Sequence, residues 1–259
     1  DLIETAFEGM ERRAAVVYRD AIEAAEKKVS KDGTAYNKDS NTINFNVEEF
    51  ELMESDTVIH ETTHYLDYNT PMTYENRYTK KEWARDEEGE LLLKDGKPYR
   101  VEVEEVFQYD TKSVTSWISF GYESEDRVSD WEKAASILGV TKGNATPFGG
   151  IITPEELTSR SDNLHKWLRE KGVSEADRPH ITDVLSSFVE EQYPFSLSMG
   201  GHDLDYWNKD VQRQYSECLA AYSVLRSRNS DAVHCIEEIC PNLYKLLEKG
   251  YEEMMKRVR

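Results

Sequence analysis

Five residues of this sequence could do chemistry together: His60-Glu61-Thr62-Thr63-His64, an HExxH pattern within DTVIHETTHYLDY. On a helix, two residues four apart differ by about 40°. Both imidazoles therefore leave one face and can share one metal ion. Glu61 points about 100° away from His60. That aims its carboxylate beside the metal, at a metal-bound water. Zinc lowers the pKa of such a water to about 7, and a neighbouring carboxylate takes the proton as the water attacks a carbonyl. The chemistry is metal-assisted hydrolysis of a peptide bond. The surroundings favour a helix over histidines scattered in solvent. Val58, Ile59 and Leu66 give it an apolar side, Asp56 is a candidate N-cap, and Asn69-Thr70-Pro71 ends it.

Two histidines leave a catalytic zinc site one protein ligand short. No third His follows at the short HExxHxxGxxH spacing, because Tyr68 follows Asp67 with no Gly or His beyond. The other histidines are His165, His180, His202 and His234. The alternative is a Glu on a later helix. Glu217, in QRQYSECLAAYSVLRS, is the best candidate, because Ala220 and Ala221 one turn on allow a close helix approach. By position alone it could equally be a surface carboxylate. Asp67, three residues after His64, could hold that imidazole's other nitrogen or equally be a helix C-terminal acid in solvent. An oxyanion needs a hydrogen-bond donor. His202 or Tyr206, in GHDLDYW, could supply it, with Tyr215 a third choice and Trp207 a core residue. Cys235 and Cys240 beside His234 match no common zinc spacing and read as buried thiols.

The elements that must position these groups follow from periodicity. Residues 2–30 read as one long amphipathic helix ended by Lys31-Asp32-Gly33. Thr34–Asn37 and Thr42–Asn46 read as short strands about a polar turn at Lys38–Asn41. Residues 72–88, Tyr-rich and charged, read as helical. Glu90–Val106 carries two β-rich runs around Asp95-Gly96, a hairpin signal. Helices follow over Lys112–Phe120 and Glu125–Leu138, then a Gly/Pro break at 143–150. A helix starts at Thr153-Pro154 and runs to about Glu170, another starts at Ser174–Asp177, and residues 180–189 form a short apolar helix. Pro194–Gly201 reads as a loop. Asn208–Arg226, Asp231–Ile239 and Pro241–Arg257 are the closing helices. The expected class is α+β, predominantly α, in one domain over residues 1–259. Its parts are an N-terminal helix (1–33), strands and motif helix (34–71), an insertion (72–179) and a C-terminal helical part (180–259).

Composition narrows the partners. The 259 residues carry a net charge of −19, spread along the chain. That surface disfavours nucleic acid and anionic membranes and favours solubility. Three cysteines, odd in number and all late in the chain, argue against a disulfide framework and fit a reducing compartment. No apolar run approaches the roughly 20 residues of a membrane span, and no signal peptide is visible. Opening on Asp1 points to a fragment or processed product.

Several segments, in order, resemble the zincin-like domain of phage minor head proteins of the Mu-F type and their prophage relatives, and more distantly the catalytic domain of anthrax lethal factor. AYNKDSNTINFN resembles the strand pair before the family's active helix, and TVIHETTHYLDY the helix itself. HITDVLSSF followed by GGHDLDYW resembles the segment preceding its glutamate helix. YSECLAAYSVL resembles that helix, and CPNLYKLLEKGYEEMM the closing one. The resemblance covers about 34–69 and 180–257. It implies a zincin-like metallopeptidase fold with a small antiparallel sheet before the HExxH helix and an inserted hairpin. Ile43–Asn46 would then be the edge strand lining the cleft. It makes Glu217 the third ligand beside His60 and His64, Zn2+ the cofactor, Glu61 the general base, and His202 and Tyr206 the oxyanion candidates. Thr63 stands where the family often has Gly, and Ala221 where a second acid is common. The implied activity is a zinc peptidase of gluzincin type acting on a peptide or protein, in a bacterial cytoplasm or phage virion. The alternative is a non-catalytic zinc-binding minor capsid domain packing against head or portal proteins. An effector carried by a phage-like particle would share the chemistry with another target.

Overall fold

The computed structural model describes residues 7–31, 33–46, 55–139, 154–186 and 211–256. Helix α1 (Arg12–Ala24) buries Ala14, Val17, Tyr18, Ala21 and Ile22, one stripe at helical spacing. It stops earlier than the periodicity predicts. Ala25 turns extended (φ −66°, ψ 141°) and the chain continues as strand β1 (Glu26–Ser30). Val29, which looked like a continuation of the helical stripe, is 75% exposed. The backbone of this stretch finds partners in β3 (Thr42–Asn46) instead, in parallel register from Glu26↔Thr42 to Ser30↔Asn46.

Strand β2 (Ala35–Asn37) pairs with β3 antiparallel, through the expected turn. Asn41 there adopts φ +53°, and Asn37 Oδ1 accepts from the amides of Asp39 and Ser40. The sheet order is β1-β3-β2. Two expectations are thereby corrected. The sheet is mixed, not antiparallel, and Ile43–Asn46 is its centre, not its edge. The reason is β1, which occupies the side of β3 that would otherwise face the cleft or solvent. Both faces of β3 are covered, with Ile43 and Phe45 buried on one and Thr42 and Asn46 on the other. The edge toward the motif helix is β2.

Helix α2 (Ser55–Tyr68) carries the HExxH residues and buries Val58, Ile59 and Leu66. It already includes Ser55, so Asp56 lies inside the first turn and is not the N-cap. Tyr65 packs against both the main core and the small Ala25–Ile43–Phe45 cluster, tying helix to sheet. From α1, the Tyr18 hydroxyl donates to Thr63 Oγ1 at 2.8 Å, because Thr63 itself donates to Ile59 O.

Residues 72–88 are not helical. Strand β4 (Met72–Trp83) pairs antiparallel with a later strand, Arg100–Thr111, from Met72↔Thr111 to Trp83↔Arg100. Between them β5 (Leu93–Lys94) and β6 (Lys97–Pro98) form the expected hairpin, and the long partner is β7 (Arg100–Thr111). Asp95 and Gly96 both take positive φ, 53° and 74°, as a two-residue hairpin turn requires. The ribbon is about 40 Å long, from about 3.4 Å per residue. Its Tyr- and Thr-rich strands leave Tyr78, Phe107 and Tyr109 exposed.

The remaining helices build the core. They are α3 (Val114–Gly121), α4 (Ser124–Leu138), α5 (Pro154–Glu170), α6 (Arg178–Ser186), α7 (Val211–Ser227), α8 (Val233–Ile239) and α9 (Pro241–Met255). Pro179 is the second residue of α6, inside the first turn, where its missing amide hydrogen costs nothing. Helix α7 packs on α2 and α6, and α9 on α3. Gly250 of α9 permits that last approach, since a Cβ there would lie 2.5 Å from Val114 Cγ1. The class is α+β, mostly helical with small sheets. Among the described residues no helix is long and apolar enough to cross a membrane. The 143–150 break and the 194–201 loop lie outside the described residues.

Candidate metal centre

Helices α2 and α7 bring three donors together. His60 Nε2 lies 2.9 Å from Glu217 Oε2, and His64 Nε2 lies 3.5 Å from Glu217 Oε1. The two imidazole rings sit 4.8 Å apart at 81°. One ligand atom from each residue lies within 4.8 Å of the others, so the cluster could hold a metal ion. His64 and Glu217 are buried and His60 is partly open. Ala220 and Ala221, fully buried one turn beyond Glu217, add no bulk between packed helices.

The environment of each donor has a physical cause. Burial disfavours the His60 imidazolium, but the hydrogen bond and charge of Glu217 outweigh it. Glu61 and Asp183 add to that pull, and the His60 pKa stands at about 9. A proton on His60 is thus the positive charge that Glu217 holds when no metal does. His64 Nδ1 is 2.9 Å from Ser216 Oγ, and Ser216 in turn donates to Asp67 Oδ2 at 3.4 Å. A hydroxyl donates once, so His64 donates from Nδ1, and Nε2 is the ring nitrogen that faces Glu217. The expectation that Asp67 holds His64 directly is corrected: Ser216 stands between them. Asp67 is itself held by Thr115, whose amide donates to Oδ1 at 2.7 Å and whose hydroxyl donates to Oδ2 at 2.6 Å. Burial pushes the Asp67 carboxyl up, against the pull of Thr115, His64 and Ser216.

Glu61 faces the sheet edge. Its Oε2 accepts the Tyr36 amide of β2 at 2.7 Å. The Tyr36 ring stacks on Tyr68 (5.8 Å, 27°) and meets Tyr65 edge-on (6.2 Å). Burial, then the neighbouring Tyr68, Asp67 and Tyr65, push the Tyr36 phenol up to about 12.

Other expected residues are placed elsewhere. His180 pairs with Asp56 at 3.2 Å, and Arg228 pairs with the same carboxylate, closing the start of α2 onto α6 and the end of α7. His234 is exposed beside Glu237, and His165 lies on α5. Tyr215 is buried against Tyr122, with the Arg127 guanidinium over its ring. It lies about 200° round the helix from Glu217 and is no oxyanion donor. Cys218, Cys235 and Cys240 are buried and form no disulfide with one another. His202, Tyr206 and Trp207 lie outside the described residues. Sequence reasoning missed Ser216, Thr115 and Tyr36. Ser216 adjoins Glu217, the one available signal; Thr115 and Tyr36 act across the fold.

No family model, curated protein or solved structure matches this chain.

Proposed function

We propose that this chain is a zinc-dependent peptidase of gluzincin type with a zincin-like fold, phage or prophage encoded as the resemblance to minor head proteins implies. The observation that supports it is the convergence of His60, His64 and Glu217 with Glu61 alongside. Two imidazoles and a carboxylate make up the protein donor set of a catalytic zinc. A tetrahedral site with bonds of about 2.0–2.1 Å separates its ligand atoms by about 3.3 Å. Here one ligand atom from each of the three residues lies within 4.8 Å of the others, and the two imidazoles face different oxygens of Glu217, at 2.9 and 3.5 Å. Zinc, when bound, would polarise the scissile carbonyl and acidify a water.

The chain's own residues supply the rest. Glu61 takes the proton of the attacking water and passes it to the leaving nitrogen. Ser216 and Asp67 fix the His64 tautomer, leaving Nε2 as the ligand atom. His202 and Tyr206 are the residues proposed to hydrogen-bond the oxyanion. The substrate is a peptide or protein. The proposed setting is a bacterial cytoplasm or a virion, with neither nucleic acid nor membrane as partner.

Two measurements test this. Purified protein should hold about one zinc per chain, and Glu217→Ala should lose it; no zinc uptake at all overturns the reading. Wild type should cleave members of a mixed peptide library that Glu61→Gln leaves intact. Zinc binding without cleavage would favour the minor capsid alternative; the intact Glu61 supports the peptidase, because a purely structural metal site has no use for it.

A further inference from the structure

The hydrogen bond between Tyr36 and Glu61 joins a backbone group to a side chain from a different element. A glutamate on a helix surface has three rotatable bonds, and holding it in one pose costs rotamer entropy. A donor that is itself rigid offsets that cost. The Tyr36 amide is such a donor. It belongs to β2, which pairs with β3, which pairs with β1, and β3 is buried on both faces. The Tyr36 side chain is pinned as well, through its rings' contacts with Tyr65 and Tyr68 and its hydroxyl's bond to Asn41 Oδ1 at 2.8 Å. Those two tyrosines lie on α2, the helix that carries Glu61, so strand and helix are fixed to each other on both sides of the bond. An amide donating to a carboxylate is a charge-assisted bond, shorter and stronger than a neutral one. The 2.7 Å separation fits that description.

We propose that the Tyr36 main-chain amide is the positioning group for Glu61: it fastens Oε2 and leaves Oε1 as the oxygen that meets the substrate-side proton. The proposal rests on the peptidase reading for its kinetic half and on geometry alone for its structural half. It carries a consequence for the cleft. While Glu61 is engaged, an extended peptide laid along β2 cannot use the Tyr36 amide as a ladder donor, so residue 36 serves the carboxylate and not the substrate.

The test has two independent arms. In the first, hydrogen exchange of the Tyr36 amide is followed by NMR on 15N-labelled wild type and Glu61→Ala, both metal-free. The expected result is exchange at least tenfold faster at Tyr36 in the variant, with the Ile43 amide unchanged. Equal exchange at Tyr36 overturns the proposal whether or not the protein cuts peptides. In the second arm, Tyr36→Pro removes the amide hydrogen, and Ala35 before it is already in the extended conformation that a following proline requires. With zinc content equal to wild type, kcat should fall at least tenfold at unchanged KM, and further than in Tyr36→Ala, which loses the ring contacts but keeps the amide. Equal kcat in Tyr36→Pro and wild type overturns the positioning role. Should Tyr36→Pro fail to fold, the exchange arm decides. Should wild type cleave nothing, the peptidase reading fails, and the exchange arm still decides whether the amide holds Glu61.

Discussion

Thr115 grips both carboxylate oxygens of Asp67, with its amide on one and its hydroxyl on the other. Asp67 sits on α2, the helix of the candidate metal donors His60 and His64, and Thr115 in the first turn of α3, just after the ribbon's last strand. The pair locks the end of α2 to the root of the ribbon. Thr115→Val keeps the amide and removes the hydroxyl from a fully buried carboxylate. The expected cost is about 1–3 kcal/mol. In thermal unfolding each kcal/mol lowers Tm by about 2–4 °C at this chain size.

Ser216→Ala should leave the fold intact and weaken the metal. Without the hydroxyl, nothing passes the pull of Asp67 to His64 Nδ1, and the imidazole loses the bond that fixes its tautomer. Loss of such an orienting partner typically costs about 10–100-fold in metal affinity. Competition with a chromophoric chelator measures it; unchanged affinity would show that the tautomer is held some other way.

The proton on His60 competes with the metal. With its pKa at about 9, His60 is an imidazolium at neutral pH in the metal-free protein. Zinc uptake at pH 7 should therefore release about one proton from this residue, and apparent affinity should rise about tenfold per pH unit until about pH 9. Calorimetry in two buffers of different ionisation enthalpy gives the proton count.

The same residue sets a pH dependence of folding. Its pKa is raised on folding from an ordinary 6.5 to about 9. The His60–Glu217 pair thus stabilises the metal-free fold fully below about pH 6.5, and that stabilisation is lost as pH rises through about 9. Urea midpoints of metal-free wild type should fall relative to His60→Gln across that window. The zinc-loaded protein should show no such convergence, because its His60 carries no proton to lose.

Gly250→Ala would place a methyl 2.5 Å from Val114 Cγ1, on a fully buried, β-branched side chain with little room to turn. Overpacking costs about 1–3 kcal/mol, more than the roughly 1 kcal/mol that alanine adds to a helix interior. Stability should fall, and Val114→Ala in the same chain should recover part of the loss. A more stable Gly250→Ala would mean that α3 and α9 can move apart freely.

The parts of this fold that were legible in the sequence are those whose signal is local. The apolar stripe of α1, the Asp95-Gly96 turn and the motif helix need only neighbours a few residues away. Strand β4 was misread because MTYENRYTKKEW can satisfy its backbone either way, and the partner that decides, β7, lies across the hairpin tip. Strand β1 was misread for the same reason, since only β3 reveals that Val29 has left the helix. Within the site, His60, His64 and Glu217 have side chains whose types announce metal chemistry. The Tyr36 amide announces nothing, because every residue but proline has one, and Thr115 becomes visible only when α3 lies beside α2.

Two of the three candidate metal donors are one helical turn apart, and the third is 157 positions after the first of them. At a synthesis rate of about 5–20 residues per second, a growing chain would carry its histidine pair for about 8–30 s before Glu217 is made. During that interval α2 offers a two-donor site with its carboxylate missing. The early chain would then be at most a weak chelator, and full-strength metal capture would report that α7 has packed on α2.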